Sequence, residues 1–332
     1  MKKILFNLWI PIMVLAACST ETGLQQLIGR GVEAPVFLDC RPVSSTEIVF
    51  SFNVAVRVAS LHFDPAQEIL SIEGGREVRV TFAEPLGEGM KMTADILVED
   101  DERNTLNVIV PFRARNDRMP VLAINELRTD YSRPRVEFVE LLALEAGNLG
   151  ALRLFIAGHS LTKPVYEFPP VEVAAGEYIV LHLRTLDEAS VDETGEDLSV
   201  SAGNEAQPDA RDFWLPGSTK MLRRTDALWL LDQDDRIIDA ILLSENADAK
   251  WSNNSVAEAA LFLAKNNGWL PVEESEGWIP SPADAVITSG TTATRTICRD
   301  ESIDPARKAG NWYVTVTSGA SPGRPNNTKR HQ

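Results

Sequence analysis

Few side chains in this 332-residue sequence could do chemistry, and their spacing decides what kind. Asp232, Asp234, Asp235 and Asp239 are close enough to suggest calcium, which takes clustered carboxylate oxygens. The run lacks the glycine and the terminal glutamate of an EF-hand loop, so a hairpin turn is expected there, and Glu99 to Glu102 reads the same way. His159 lies beside Ser160, and His182 falls within an apolar-polar alternation. Neither belongs to a G-x-S-x-G elbow, an HExxH helix or a phosphate loop. The histidines, at 62, 159, 182 and 331, have no metal-ligand spacing, and no CxxC occurs. No catalytic residue, metal site or cofactor is expected, and the enzyme reading is set aside. Trp251, Trp269 and Trp278 form the candidate binding surface. Three tryptophans around one segment could line a carbohydrate or peptide groove, or could fill a core.

Of three cysteines, Cys18 has the clearest context. Met1-Lys2-Lys3 is a short basic start, and the apolar run Ile4 to Ala17 is too short to span a bilayer, which needs about 20 residues. Leu15-Ala16-Ala17-Cys18 closes that run and resembles the bacterial lipobox. The resemblance implies cleavage after residue 17 and lipidation of the Cys18 thiol, with several acyl chains giving durable anchoring. No aspartate follows the cysteine, which points to an outer-membrane or surface destination in a diderm envelope rather than to inner-membrane retention. Cys40 and Cys298 could pair in an oxidising envelope, but they lie far apart in sequence, and two isolated thiols are the preferred reading.

The formal net charge is −16, and losing Lys2 and Lys3 with the leader lowers it by two, to −18. Such a surface repels phosphate backbones, so no nucleic-acid partner is expected. Roughly 310 residues follow the leader, enough for two domains of ordinary size.

Short alternating segments come first: Glu47 to Phe52, Val54 to Val58, Glu77 to Phe82, Lys91 to Val98 and Leu106 to Val110. Asp64-Pro65, Gly74-Gly75, Glu84-Pro85 and Asp100 to Asn104 separate them. Strands of this length and spacing read as an antiparallel β-sandwich. The run from Val78 through P-L-G-E-G to the D-E-R-N turn resembles the end of bacterial Ig-like domains, which implies such a domain over 34–115. Arg103 stands where that family has glycine.

After the polar hinge Arg115 to Pro120 comes L-A-I-N-E-L-R-T-D, then E-F-V-E-L-L-A-L, N-L-G-A-L-R-L-F-I and V-A-A-G-E-Y-I-V-L-H. D-A-L-W-L-L-D and N-W-Y-V-T-V follow, and S-P-G-R-P-N ends the pattern. This order is similar to the lamin-tail domain, an Ig-like β-sandwich, over 119–326. Phe138, Val139, Leu141 and Leu142 supply one face, with Glu137 and Glu140 interleaved. Two inserts depart from the family. Residues 186–212 carry nine carboxylates and read as a mobile acidic loop. Residues 245–290 contain a short helix, Ser255 to Lys265, with Ser255 as N-cap and Glu258 completing a capping box.

The expected fold class is therefore all-β, two Ig-like β-sandwich domains in tandem, the second with an acidic loop insert and a short helical insert. The expected layout is a signal peptide 1–17, a lipidated tether 18–33, the two domains at 34–115 and 119–326, and a tail 327–332. The function expected is that of a lipid-anchored envelope or surface protein with a non-catalytic binding, adhesion or structural role. Its partners would be the membrane and another envelope or host protein. The alternative is an accessory or unrecognised envelope hydrolase, since bacterial lamin-tail domains accompany secreted nucleases and phosphatases.

Overall fold

The computed structural model describes residues 34–248, 250–271, 277–303 and 306–332. The expected leader, the Cys18 anchor and the tether lie outside the described residues. The fold is mostly β, with one α-helix among the described residues.

The N-terminal sheet contains β1 (Phe37–Ser44), β2 (Glu47–Asp64), β3 (Ile69–Glu73), β4 (Gly75–Phe82), β5 (Lys91–Asp100) and β6 (Thr105–Arg113). It runs β3-β4-β2-β5-β6, with β1 also on β2 and every pairing antiparallel. The two strands expected at 47–52 and 54–58 are one, because Asn53 does not break the strand. Its Oδ1 accepts from Val36 N–H and its amide donates to Ala34 O, which ties down the start of the sheet. The first half of β2 pairs with β1 and β4, the second with β5, and register shifts between and within the halves let it bend. Ile48, Phe50 and Phe52 of one half thus share a core with Ala94, Ile96 and Val98 of β5. Burial of each of these side chains except the single methyl of Ala94 stabilises by about 1.5–3 kcal/mol. Arg103 keeps the turn that the family builds with glycine, at φ +67, while Asp100 Oδ1 and Oδ2 accept from Asn104 N–H and Nδ2.

The second unit has two larger sheets around one core. The first is ordered β14-β13-β8-β7-β18-β19: Arg211–Trp214, Tyr178–His182, Phe138–Ala143, Leu122–Arg128, Ile297–Arg299 and Trp312–Val314. The second is ordered β11-β10-β15-β16-β17: Tyr166–Glu167, Arg153–Ile156, Asp226–Leu231, Ile237–Ser244 and Val286–Ile287. Two short strands, β9 (Gly147–Asn148) and β12 (Glu172–Val173), pair separately. Leu127, Leu141, Ile179 and Ile297 from the first sheet meet Leu154, Leu228, Leu230 and Ile241 from the second.

Glu137 and Glu140, read as the polar face of β8, are buried. A strand needs a wet side only if nothing covers it, and here the terminal segment does. Gly323 N–H donates to Glu140 Oε2, Ser321 N–H and hydroxyl donate to Glu126, and the Arg184 guanidinium caps Glu137 at 2.5 and 2.7 Å. Burial pushes the Glu126 and Glu140 carboxyls up.

The acidic insert differs from the mobile loop expected of it. It delivers β14, which joins β13 in parallel as the last strand of its sheet. Glu193 is buried and accepts N–H from Ser201 and Asp212, and Arg211 reaches back to Glu193 O, Gly195 O and Glu177. The helix α1 (Asn254–Lys265) starts one residue before the expected position and its N-cap is Asn253, not Ser255. Asn253 Oδ1 accepts both the N–H and the hydroxyl of Ser255, so Ser255 is occupied as a donor.

A dense set of polar contacts joins the two units. Gln233 and Asn116 exchange backbone-to-amide bonds, Arg115 forks onto Asp234, and Asn116 Nδ2 donates to Asn148 O and Gly150 O. Arg113 pairs with Glu167, and Arg118 bridges Glu88 and Glu172. Gly89, at φ +63, lies against Gly150 so closely that a Cβ would come within 2.5 Å of that backbone. Cys40 borders the cleft beside these arginines, and burial pushes its thiol up to about 12. Cys40 and Cys298 are both free thiols.

Candidate functional site

The strongest candidate site is an aromatic cleft between the second sheet and α1. The register of β10 on β15 sets Phe155 directly opposite Trp229, and the two rings stack at 5.3 Å with planes 9° apart. Helix α1 buries Val256, Ala259, Ala260 and Leu263, which leaves Glu258 and Phe262, one turn apart, at the edge of its packed face. Phe262 tilts against Trp229 at 5.9 Å and stays 38% exposed. Leu161, Thr162 and Leu231 complete a cleft of about 510 Å³. The loop carrying Leu161 is held by Ser160, whose Oγ accepts from Thr162 and Lys163 N–H.

The rim is charged, with Arg153, Asp235 and Glu258 around it and the Thr162 side chain beside them. Arg153 donates to Asp235 at 2.8 Å and to Asp232 O. Glu258 is exposed and carries no ion pair among the described residues. Such a surface can hold an apolar side chain and favour positive charge beside it.

The residues singled out from sequence scatter around this cleft. Trp269 is 0% exposed, part of the core, and its indole N–H donates to Asp284 O. Trp251 is half-buried with its N–H on Pro280 O, and Trp278 packs on the same core. Trp269 therefore belongs to the core and has no face left for a ligand, whereas Trp251 and Trp278 pack on that core with part of each ring exposed. Asp239 is buried against Arg299, Asp234 faces Arg115, and Asp232 Oδ1 accepts from Asp234 and Arg236 N–H, which makes the run a hairpin turn. His182 is buried, bonded through Nε2 to Asp212 Oδ1 at 2.8 Å and stacked on Trp214 at 3.8 Å. Its Nδ1 has no hydrogen-bond partner among the described residues, so no hydroxyl or thiol completes a triad. His159 is exposed.

Sequence reasoning missed Phe155, Trp229 and Phe262. Phe262 left a signal: it sits one turn from Glu258 and off the stripe of small and aliphatic residues that α1 buries.

The comparisons with known proteins fit this unit. A protein of Treponema pallidum (strain Nichols), named only "Uncharacterized protein", is 28% identical over 262 residues. The match covers 75% of this chain and 66% of that protein, so the chain spans just under two thirds of its relative's length. A family model, TP_1001_2nd, described as a protein second domain, matches residues 120–314. That span is more than half of the sequence and takes in both larger sheets and the helix, so the protein belongs to the TP_1001_2nd second-domain family.

Proposed function

We propose that this protein is a lipid-anchored bacterial envelope protein with a non-catalytic binding role. In this reading Cys18 carries the lipid, an Ig-like unit spaces the chain from an outer-membrane or surface leaflet, and a lamin-tail-like unit presents the cleft. The single observation that carries the binding role is the aromatic cleft, apolar at its floor and acidic at its rim. Its occupant is an apolar side chain on a partner protein that is basic around it. Charge complementarity supports this choice: Glu258 has no ion pair among the described residues, Asp235 is largely exposed, and the whole chain stands at −16.

The test uses the chain from Ser19 onward, which contains every described residue, as bait for native envelope, with Phe262→Glu as the control. A basic partner should be captured, and after purification it should bind the parent chain at least about 30-fold more tightly than the variant, the weight of one buried anchor. Equal binding to both would overturn the cleft as the site. Cys18→Ala should abolish partition of the full chain into detergent; unchanged partition would remove the anchor.

A further inference from the structure

A second cavity, of about 250 Å³, lies at another part of the second unit, and its chemistry is the reverse of the chain's overall charge. Arg128, at the end of β7, lies at its floor and is 3% exposed. Its Nη1 donates to both carboxylate oxygens of Glu205, at 2.9 and 2.7 Å, and to Val136 O, while its Nε has no partner. Glu205 Oε2 also accepts from Val136 N–H, so this carboxylate is committed to Arg128 and Val136. Arg135 and Arg324 line the same cavity, are exposed, and their guanidinium groups have no hydrogen bond or ion pair among the described residues. Three guanidinium groups therefore face one carboxylate, a local excess of two positive charges on a chain of −16.

The hydroxyls of Thr294 and Ser318 line the cavity beside them. Ser318 adopts φ +59, and the following Gly319 N–H donates to Thr294 O, which ties these two loops together at the cavity wall. Two unpaired guanidinium forks supply four N–H donors and the Ser318 hydroxyl adds one more, while Thr294 Oγ1 lies 3.4 Å from Thr292 Oγ1. A carboxylate, with two oxygens, cannot use them all, whereas a tetrahedral oxyanion can. We propose that this cavity binds a phosphate group, as free phosphate or as a phosphomonoester carried on a larger molecule. The proposal is independent of the cleft beside α1.

Calorimetry on the chain from Ser19 onward, at constant ionic strength in chloride, tests it with three probes: inorganic phosphate, glycerol phosphate and acetate. Saturable one-site binding of phosphate or glycerol phosphate is expected, weakened by added salt, with acetate at least tenfold weaker. Arg135→Gln and Arg324→Gln should each weaken it by about tenfold, the loss of one charge-assisted contact, and the pair together should abolish it. Tighter phosphate than glycerol phosphate would identify the free ion as ligand, and the reverse a phosphorylated headgroup or polymer. No saturable binding of either probe, acetate equal to phosphate, or full binding by a double variant that melts like the parent would overturn the proposal.

Discussion

Replacing Asp239 with asparagine should weaken the second unit more than most single substitutions could. Asp239 lies on β16 in one sheet, and Arg299 on β18 in the other, 3% and 2% exposed. Asp239 Oδ2 accepts from Arg299 and from Ile124 N–H at 2.7 Å, and Oδ1 from Ala240 N–H at 2.9 Å. Arg299 in turn donates its Nε–H to Ile124 O at 2.7 Å and lies 4.4 Å over the Trp312 ring. This one ion pair therefore ties β16 to β7 and β18 across the core. Asparagine keeps the shape but leaves the guanidinium without a counter-charge in a place water does not reach. Breaking a buried pair in this way costs about 3–5 kcal/mol. For a unit of 150–250 residues, each kcal/mol moves the melting point by about 2–4 °C, so a fall of roughly 6–20 °C is expected. Calorimetry, with urea unfolding followed by tryptophan fluorescence, reads both quantities. Asp239→Leu with Arg299→Met should recover only part of the loss, because an apolar pair strands no charge but takes the acceptor from Ile124 and Ala240 N–H. A cost below about 1 kcal/mol for the single variant, or a double variant that is merely the sum of its singles, would refute the argument.

Glu205→Ala should cost about 3 kcal/mol in urea unfolding, because Arg128 would be left buried and unpaired; a neutral effect would show that the acidic insert does not help hold β7. Stability should also depend on pH through Asp226. Burial holds its carboxyl up at about 6, against the opposing pull of N–H donors from Gly158, Ala227 and Arg223. Because the folded value lies above the unfolded one near 3.8, its contribution is fully present below about pH 4 and is lost as pH rises through 6. The swing is at most about 3 kcal/mol. Asp226→Asn should flatten that part of the stability profile between pH 4 and 7, and an unchanged slope would refute the assignment.

The strands were legible wherever one face meets a core and the other meets water, as in β4 and β5. Strands β1 and β3 were not, since β1 contains Pro42 and β3 exposes Leu70 and Ile72, which blurs the alternation. The acidic insert misled for a different reason. Composition registers nine carboxylates but not that Glu205 and Asp212 meet Val136 N–H and His182 from outside the insert, or that Glu193 meets Ser201 and Asp212 N–H within it. The same blindness hid the candidate site. Phe155 and Trp229 become neighbours only through a strand register, and Trp269 passes for a surface residue until the core closes over it. The Ser255-x-x-Glu258 spacing pointed to Ser255 as the cap, whereas Asn253, also a good N-cap, holds it through the hydrogen bond from Ser255 N–H.

The joint between the two units has a mechanical consequence. The stretch from Ala114 to Pro120 is pinned from both sides, by Met90 and Glu88 on one and by Gln233, Asn148 and Gly150 on the other. A linker held at nearly every residue behaves as a weld, not as a ball joint. The cleft and the arginine cavity thus keep a constant bearing relative to the N-terminal sheet. A partner must find them by tumbling against the whole molecule, which slows the search, but little orientational freedom remains to be surrendered once contact is made.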